Sequence, residues 1–358
     1  MAQGNSVLNH ARYSVDTDEW YTTYETIEDE LIHYEKHFHG KIVLCNCDDP
    51  YESNFAYYFM RHFNKLKLKK LICTSFSNSK IASLKGNSHL SVLLRDCKGR
   101  AITSAEGYVL ILTKLPGKEN VFVSDKSIKE TLKKNGVIKY LSGNGDFRTN
   151  ECLEYLKQCD ICCTNPPFSL FATLFSLLVQ YKKKYLLIGN QNAITYKEIF
   201  PHIKKNQAWV GYKFGDMAFR VPPDAKPRKT RFWIDGEGQK WRSLGNAMWL
   251  TNLDIPKRHK DLELAKSFDP SKYLKYDNFD AIDVPKVADI PADYDGIMGV
   301  PITFLKYHNG KQFEIIGEAN HGSDNEFDLF KPIIEGKEVF KRILIKRKKS
   351  KNEKKHEI

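Results

Sequence analysis

Apolar residues recur along this chain in two rhythms. Trp20, Tyr24, Ile27, Leu31 and Tyr34 follow a three-to-four spacing behind Thr17, which predicts an amphipathic helix from Thr17 to about Phe38. Phe55, Phe59 and Phe63, with Tyr58, His62 and Leu66 beside them, predict a second helix whose aromatic stripe faces a core, with His62 as a partly buried helix residue. The other rhythm is short and uninterrupted. Ile42–Cys45, Leu71–Thr74, the segment 137–141, Asp160–Thr164 and Tyr185–Ile188 read as strands apolar on both faces. Helices are expected between them, near Ser127–Lys134, Thr149–Gln158, Leu170–Tyr181 and Tyr196–Lys205. Strands alternating with helices predict an α/β fold with a doubly wound, mostly parallel sheet. The runs Ser91–Leu94 and Tyr108–Leu112 break the alternation and suggest an inserted hairpin at about 78–117.

Past Lys205 the rhythm changes. Ala208-Trp209-Val210 and Ala247–Leu250 flank a Pro- and Gly-rich stretch from Val221 to Gly238, predicting a long hairpin at about 207–252. Further on, Phe313–Ile316 and Ile343–Ile345 read as strands of a smaller α+β module. The expected organisation is a catalytic domain at 14–255, a C-terminal module at 256–346 and a basic tail at 347–358. Asp277, Asp280, Asp283, Asp289, Asp293 and Asp295 lack the spacing of a calcium-binding loop and read as a solvated loop.

Composition sharpens the picture at two points. The net charge of +12 is unevenly spread: Lys341–Ile358 holds nine Lys or Arg against two Glu, and Pro201–Lys260 holds thirteen against five acids. The second segment also contains Trp209, Trp233, Trp241 and Trp249, four of the five tryptophans. Cations interleaved with aromatics suit a surface that neutralises phosphates and touches bases, with about half of these tryptophans expected in the core. The eight cysteines are expected as free thiols. Cys159 and Cys162 would point to opposite faces of a strand and Cys45 and Cys47 are too close for a zinc knuckle, so no metal is expected. The chain shows no membrane-span-length apolar stretch and starts without a secretory pattern, which places it in the cytoplasm.

The candidate chemistry lies in Asn165-Pro166-Pro167-Phe168, immediately after a predicted strand. A planar amine with a delocalised lone pair is a poor nucleophile until two acceptors draw its nitrogen towards tetrahedral geometry. The Asn165 side-chain oxygen offers one acceptor and the Pro166 carbonyl the other, aimed by the fixed φ of Pro166 and Pro167. Phe168 offers a face on which a ring swung out of a duplex would stack. Ligands of such sheets bind beyond the carboxyl ends of the strands, so the loops 46–50, 142–146 and 165–168 are expected to converge on one crevice.

With that turn placed behind a strand, the chain resembles the EcoRI-type adenine-specific DNA methyltransferases. The shared stretches include CNCDDP at 45–50, GDFR at 145–148, TNPPFSLF at 164–171 and IGNQNAITYKEIF at 188–200. They continue with GQKWRSLGN at 238–246, MGVPITFL at 298–305 and QFEIIG at 312–317. The resemblance implies the sheet of the S-adenosylmethionine-dependent methyltransferases, with 256–346 as a target-recognition module. It also implies methyl transfer from S-adenosylmethionine to N6 of a flipped-out adenine in double-stranded DNA, as in restriction-modification. Asn165, Pro166, Pro167 and Phe168 are then the catalytic residues, while Tyr21 and Thr22 reach the methionine end of the cofactor. Asp146 and Phe147 match the position that holds the cofactor's adenine, and Cys45, Asn46 and Asp48 lie in the loop that passes it. Two features depart from the wider superfamily: Asn46-Cys47-Asp48-Asp49 replaces a glycine-rich turn, and Cys73-Thr74-Ser75-Phe76 lacks the acid that binds ribose. Asp48 or Asp49 is left for the ribose, Asp48 being preferred. Arg228, Arg231, Trp233 and Arg242 are the candidate DNA contacts. A monomer is expected, with room for a cognate restriction endonuclease that makes no direct contact. The alternatives are a methyltransferase acting on protein glutamine amides and a DNA-binding protein without catalysis.

Overall fold

The uninterrupted apolar runs form the middle of a ten-stranded sheet. The computed structural model describes residues 21–51, 53–76, 107–133, 137–221, 225–227, 229–319 and 331–349. In chain order its elements begin with β1 (Tyr21–Thr22), α1 (Tyr24–Leu31), α2 (Glu35–Phe38), β2 (Ile42–Cys45), α3 (Asn54–Arg61) and β3 (Lys70–Thr74). There follow β4 (Tyr108–Leu112), α4 (Asp125–Leu132), β5 (Ile138–Tyr140), α5 (Asn150–Gln158), β6 (Ile161–Thr164), α6 (Phe171–Gln180) and β7 (Lys184–Asn190). After α7 (Phe200–Lys204) come β8 (Trp209–Arg220), β9 (Phe232–Ile234) and β10 (Lys240–Thr251). Two compact units result: Met1–Gln191 with Lys213–Leu253, and Asn192–Tyr212 with Asp254–Ile358.

The sheet order is β1-β8-β10-β7-β6-β2-β3-β4-β5, with β9 paired to β10. The four central strands are parallel: β7 to β6, β6 to β2 and β2 to β3. The flanks are antiparallel, β4 on β3 and β5 on β4 at one side, β10 on β7 at the other. The sheet is therefore mixed, not mostly parallel as expected. A parallel neighbour needs a crossover connection, and the β8–β10 segment returns without a described helix. Of the inserted hairpin, Ser91–Leu94 lies outside the described residues, while β4 belongs to the main sheet. Two successive reversals leave β5 pointing the same way as β3. The loops after β2, β5 and β6 consequently leave one edge of the sheet.

Leu44, Cys45, Leu71, Ile72, Cys162, Cys163, Leu186 and Leu187 are fully buried, as expected of strands covered on both faces. The predicted first helix starts later than its periodicity suggested. Thr23 caps α1 by accepting from Thr26 N–H at 3.1 Å, and Tyr21–Thr22 pair as a strand with Phe219 and Arg220. Residues 17–20 lie outside the described residues. Tyr24 packs its ring 5.5 Å from Tyr57, and Phe38 packs 5.2 Å from Phe59, joining α1 and α2 to the aromatic stripe of α3. His62 is 1% exposed and stacks on Tyr58 at 3.9 Å, a core residue just past α3. Cys159 ends α5 instead of lying in β6, so strand alternation does not govern it. The described cysteines are free thiols, and no group of three metal-ligating side chains occurs among the described residues. No described helix is long and apolar enough to cross a membrane.

One close approach sets the start of α6. A Cβ added at Gly189 on β7 would lie 2.5 Å from the buried Phe171 ring. Gly189→Ala is expected to destabilise the protein by about 1–3 kcal/mol, measured by urea unfolding. An unchanged midpoint would show that the ring yields freely.

The second unit contains β11 (Ala281–Asp283), β12 (Ile297–Val300), β13 (Phe313–Ala319), β14 (Ile333–Ile334), β15 (Lys337–Glu338) and β16 (Arg342–Arg347). Four of these form a sheet in the order β11-β12-β16-β13. Beyond residue 256 the described residues form 3-10 turns but no α-helix, so this region is less helical than expected. Pro256, Pro270, Pro285, Pro291 and Pro301 interrupt it too often for a helix to propagate. The unit's α-helix, α7, comes from before the hairpin. The acidic run is not simply solvated: Asp283 is 7% exposed and accepts from Arg342 Nε at 2.9 Å and from Tyr276 Oη at 2.6 Å.

Candidate active site

The loop leaving β2 turns back under the end of β6. Cys47 N–H donates to Thr164 Oγ1 at 3.2 Å, and Thr164 Oγ1 donates in turn to Asp48 Oδ2 at 2.5 Å. The other Asp48 oxygen accepts from Ser53 Oγ at 2.7 Å, and the carboxylate also accepts the backbone N–H of Asn165. Asp48 is 5% exposed, and burial pushes its carboxyl up to about 7 against the lowering effect of those hydrogen bonds. Ser53 also caps α3, accepting from Phe55 N–H at 3.1 Å.

Asn165 closes a ring of contacts. Its Nδ2 donates to Thr22 Oγ1 at 3.2 Å, and the Thr22 carbonyl accepts from Asn54 Nδ2 at 2.7 Å. Asn54 is the first residue of α3, directly after Ser53. Committing the amide nitrogen to Thr22 fixes the flip of the Asn165 side chain and turns Oδ1 the other way. Pro166 is buried, while Asn165, Pro167 and Phe168 are half-buried. Pro167 has φ −51° and ψ 132°, and its carbonyl accepts from Leu170 N–H at 2.9 Å, locking the turn into the 3-10 segment Phe168–Leu170 that leads into α6.

The third loop is held close to the end of β3. Gly145 has φ +81°, and a Cβ there would overlap the Ser75 carbonyl oxygen, so only glycine fits. Asp146 follows with both oxygens on Arg148: Oδ1 accepts from Nε at 2.9 Å and Oδ2 from Nη2 at 2.5 Å. The bonded guanidinium holds the Asp146 carboxyl below its ordinary range. Phe147 is 5% exposed, whereas Phe76, one residue past Ser75, is 41% exposed beside this loop. Asp49 ties the loop after β2 to the start of β4 by accepting from Tyr108 Oη at 2.6 Å.

The predicted cofactor residues divide by what they can offer. Thr22 and Asp146 present polar side chains, and Asn46 Oδ1 lies 3.5 Å from Cys162 Sγ. Cys45 is wholly buried, which leaves it only backbone to offer. Asp48 reaches Asn165 rather than open space. Sequence reasoning passed over Ser53, Asn54, Thr164, Tyr51 and Phe76. The Ser53-Asn54 pair before an apolar stripe was legible as a helix start, but nothing local announced what Thr164 binds.

The basic hairpin supplies a separate surface. Arg231, in the left-handed region at φ +57°, donates from Nη1 to Asp216 Oδ1 at 3.0 Å and lies over Gly245, where a side chain would displace the guanidinium. Trp233 is 42% exposed and stacks on Trp241 at 6.2 Å, with Trp241 Nε1 donating to Asp235 at 2.7 Å. Arg242 is buried and donates to the Lys226 carbonyl at 2.9 Å. Arg228 lies outside the described residues. A groove of about 340 Å³ runs past Thr230, Arg231, Arg242 and Asn246. Trp249, by contrast, is fully buried.

Comparison with known proteins adds an independent line. The profile of the family described as "Adenine-specific methyltransferase EcoRI" matches residues 7–357. Type II methyltransferase M.EcoRI from Escherichia coli is 43% identical over 351 residues, covering 96% of this chain and 97% of its own length. Two mycoplasmal proteins are each 35% identical over 305 residues, covering 84% of this chain and 82% of their own. They are type II methyltransferases M.MgeORF184P from Mycoplasma genitalium and M.MpnI from Mycoplasma pneumoniae. No solved structure matches significantly.

Proposed function

Because the chain belongs to the EcoRI family of adenine-specific methyltransferases, we propose that it methylates N6 of a flipped-out adenine in double-stranded DNA, as a modification enzyme. The observation that carries this reading is the orientation of Asn165. Nδ2 donates to Thr22 Oγ1, which leaves Oδ1 as the acceptor of this side chain, and the Pro166 carbonyl of the same turn is the second acceptor in this reading. Two acceptors on the two N–H bonds of an exocyclic amine localise its lone pair without a strong base. Phe168, half-buried at the same turn, receives the face of the extruded base.

S-adenosylmethionine supplies the electrophilic methyl. The residues at the strand ends fit such a ligand. The Tyr51 hydroxyl is buried with no hydrogen-bond partner among the described residues, as a site awaiting a polar ligand would leave it. Tyr21 and Thr22 flank the methionine end, Asn46 and the backbone of Cys45 pass the middle, and Asp146 accepts from the adenine amine. Phe147 supports that loop from below, and Phe76 adds an exposed aromatic face.

Arg228, Arg231, Trp233 and Arg242 form the DNA side, with Arg242 shaping the hairpin from within. The region 256–346 contributes target recognition. The enzyme acts as a monomer, since one strand is modified at a time.

The test is product analysis. Purified protein, duplex DNA of varied sequence and methyl-labelled cofactor should yield N6-methyladenine after nucleoside digestion. Label found on cytosine, or on protein only, would sink the adenine reading.

A further inference from the structure

We propose that Asp48 is a positioning residue for Asn165: by accepting the Thr164 hydroxyl and the Asn165 backbone N–H together, its carboxylate sets the direction in which the Asn165 side chain leaves β6. The inference rests on the reading that Asn165 holds the target amine. It removes Asp48 from the set of ribose ligands.

Three donors converge on this carboxylate: Ser53 Oγ at 2.7 Å, Thr164 Oγ1 at 2.5 Å and the Asn165 N–H. Both oxygens are thereby committed to groups of the protein itself, and the side chain is buried. The contacts also form a closed circuit. Asp48 holds Ser53 and Asn165, Ser53 starts α3, Asn54 holds the Thr22 carbonyl, and Thr22 Oγ1 holds Asn165 Nδ2. The main chain of Asn165 is thus fixed from one side and its amide from the other. A displacement of the reacting geometry by about 1 Å can cost about 100-fold in rate, which is the size of effect such a support controls.

Chemistry distinguishes the two substitutions. Asp48→Ala removes every acceptor and strands the Asn165 N–H. Asp48→Asn keeps one oxygen for that N–H and turns its NH2 towards Ser53 Oγ, which can accept, so this variant folds and partly rescues function. The full-length variants are compared with wild type by hydrogen exchange across residues 164–168, by calorimetric binding of S-adenosylhomocysteine, and by kcat and KM for cofactor. Expected are faster exchange at Asn165 and a kcat lowered about 100-fold in Asp48→Ala, both milder in Asp48→Asn. Binding of S-adenosylhomocysteine should stay within about threefold. A dissociation constant raised more than about tenfold in Asp48→Asn, with kcat intact at saturating cofactor, would make Asp48 a ribose ligand and overturn the proposal, as would unchanged exchange at Asn165 in both variants. Should wild type fail to methylate DNA, the functional reading falls, yet exchange and ligand binding still decide what Asp48 supports.

Discussion

Asn165→Ala is expected to lower kcat for DNA methylation by roughly 10²–10³-fold, with DNA and cofactor dissociation constants held within about threefold. The substitution removes the Oδ1 acceptor and the Nδ2 bond to Thr22 together, but leaves Pro166, Pro167 and Phe168 on the same backbone. Asn165 is only half-buried, so its loss opens no large cavity and the fold should persist. Asn165→Asp provides the control. It keeps acceptors but loses the donor to Thr22, so its turnover should fall between wild type and alanine. Steady-state transfer of labelled methyl groups, with fluorescence anisotropy for DNA, separates the two effects. A kcat within threefold of wild type for Asn165→Ala would mean that the amine is activated elsewhere.

Arg342→Met should have the largest effect on stability, a loss of about 3–5 kcal/mol. In the second unit Arg342 and Asp283 are 11% and 9% exposed at the side chain and meet at 2.9 Å. Tyr276 reaches the same carboxylate at 2.6 Å by crossing β12 at Gly299, where a Cβ would collide with its hydroxyl. Methionine fills most of the volume of arginine, so the penalty isolates the stranded carboxylate instead of a void. Urea unfolding followed by tryptophan fluorescence measures it. Combining Arg342→Met with Asp283→Leu should cost less than the two single changes added together, because the double variant leaves no buried charge unpaired. Strict additivity would show that the pair is not coupled.

Much of the framework was legible because it depended on local pattern. The fully apolar strands β2, β3, β6 and β7 and the capped helices α3 to α5 follow from runs, spacing and Ser or Thr starts. What the sequence concealed depends on distant partners. Tyr21–Thr22 look helical until Phe219 and Arg220 pair with them. Asp283 looks like one acid of a solvated run until Arg342, 59 residues later, meets it. Asp48 looks like an unattached loop carboxylate until Thr164, 116 residues away, donates to it. The antiparallel flanks escaped notice for a similar reason, since apolar runs do not encode strand direction. The Asn165–Phe168 turn itself needed no distant information, but its contact with Thr22 did.

The pairing of β1 with the far end of β8 has a consequence for biosynthesis. Thr22 is held in register with Phe219, nearly 200 residues further along, so the hydroxyl that orients Asn165 is pinned only after that later segment has left the ribosome. A nascent chain arrested just past α6 would carry the whole Asn165–Phe168 turn and still lack the strand that anchors Thr22. The Asn165–Thr22 contact therefore forms late in translation.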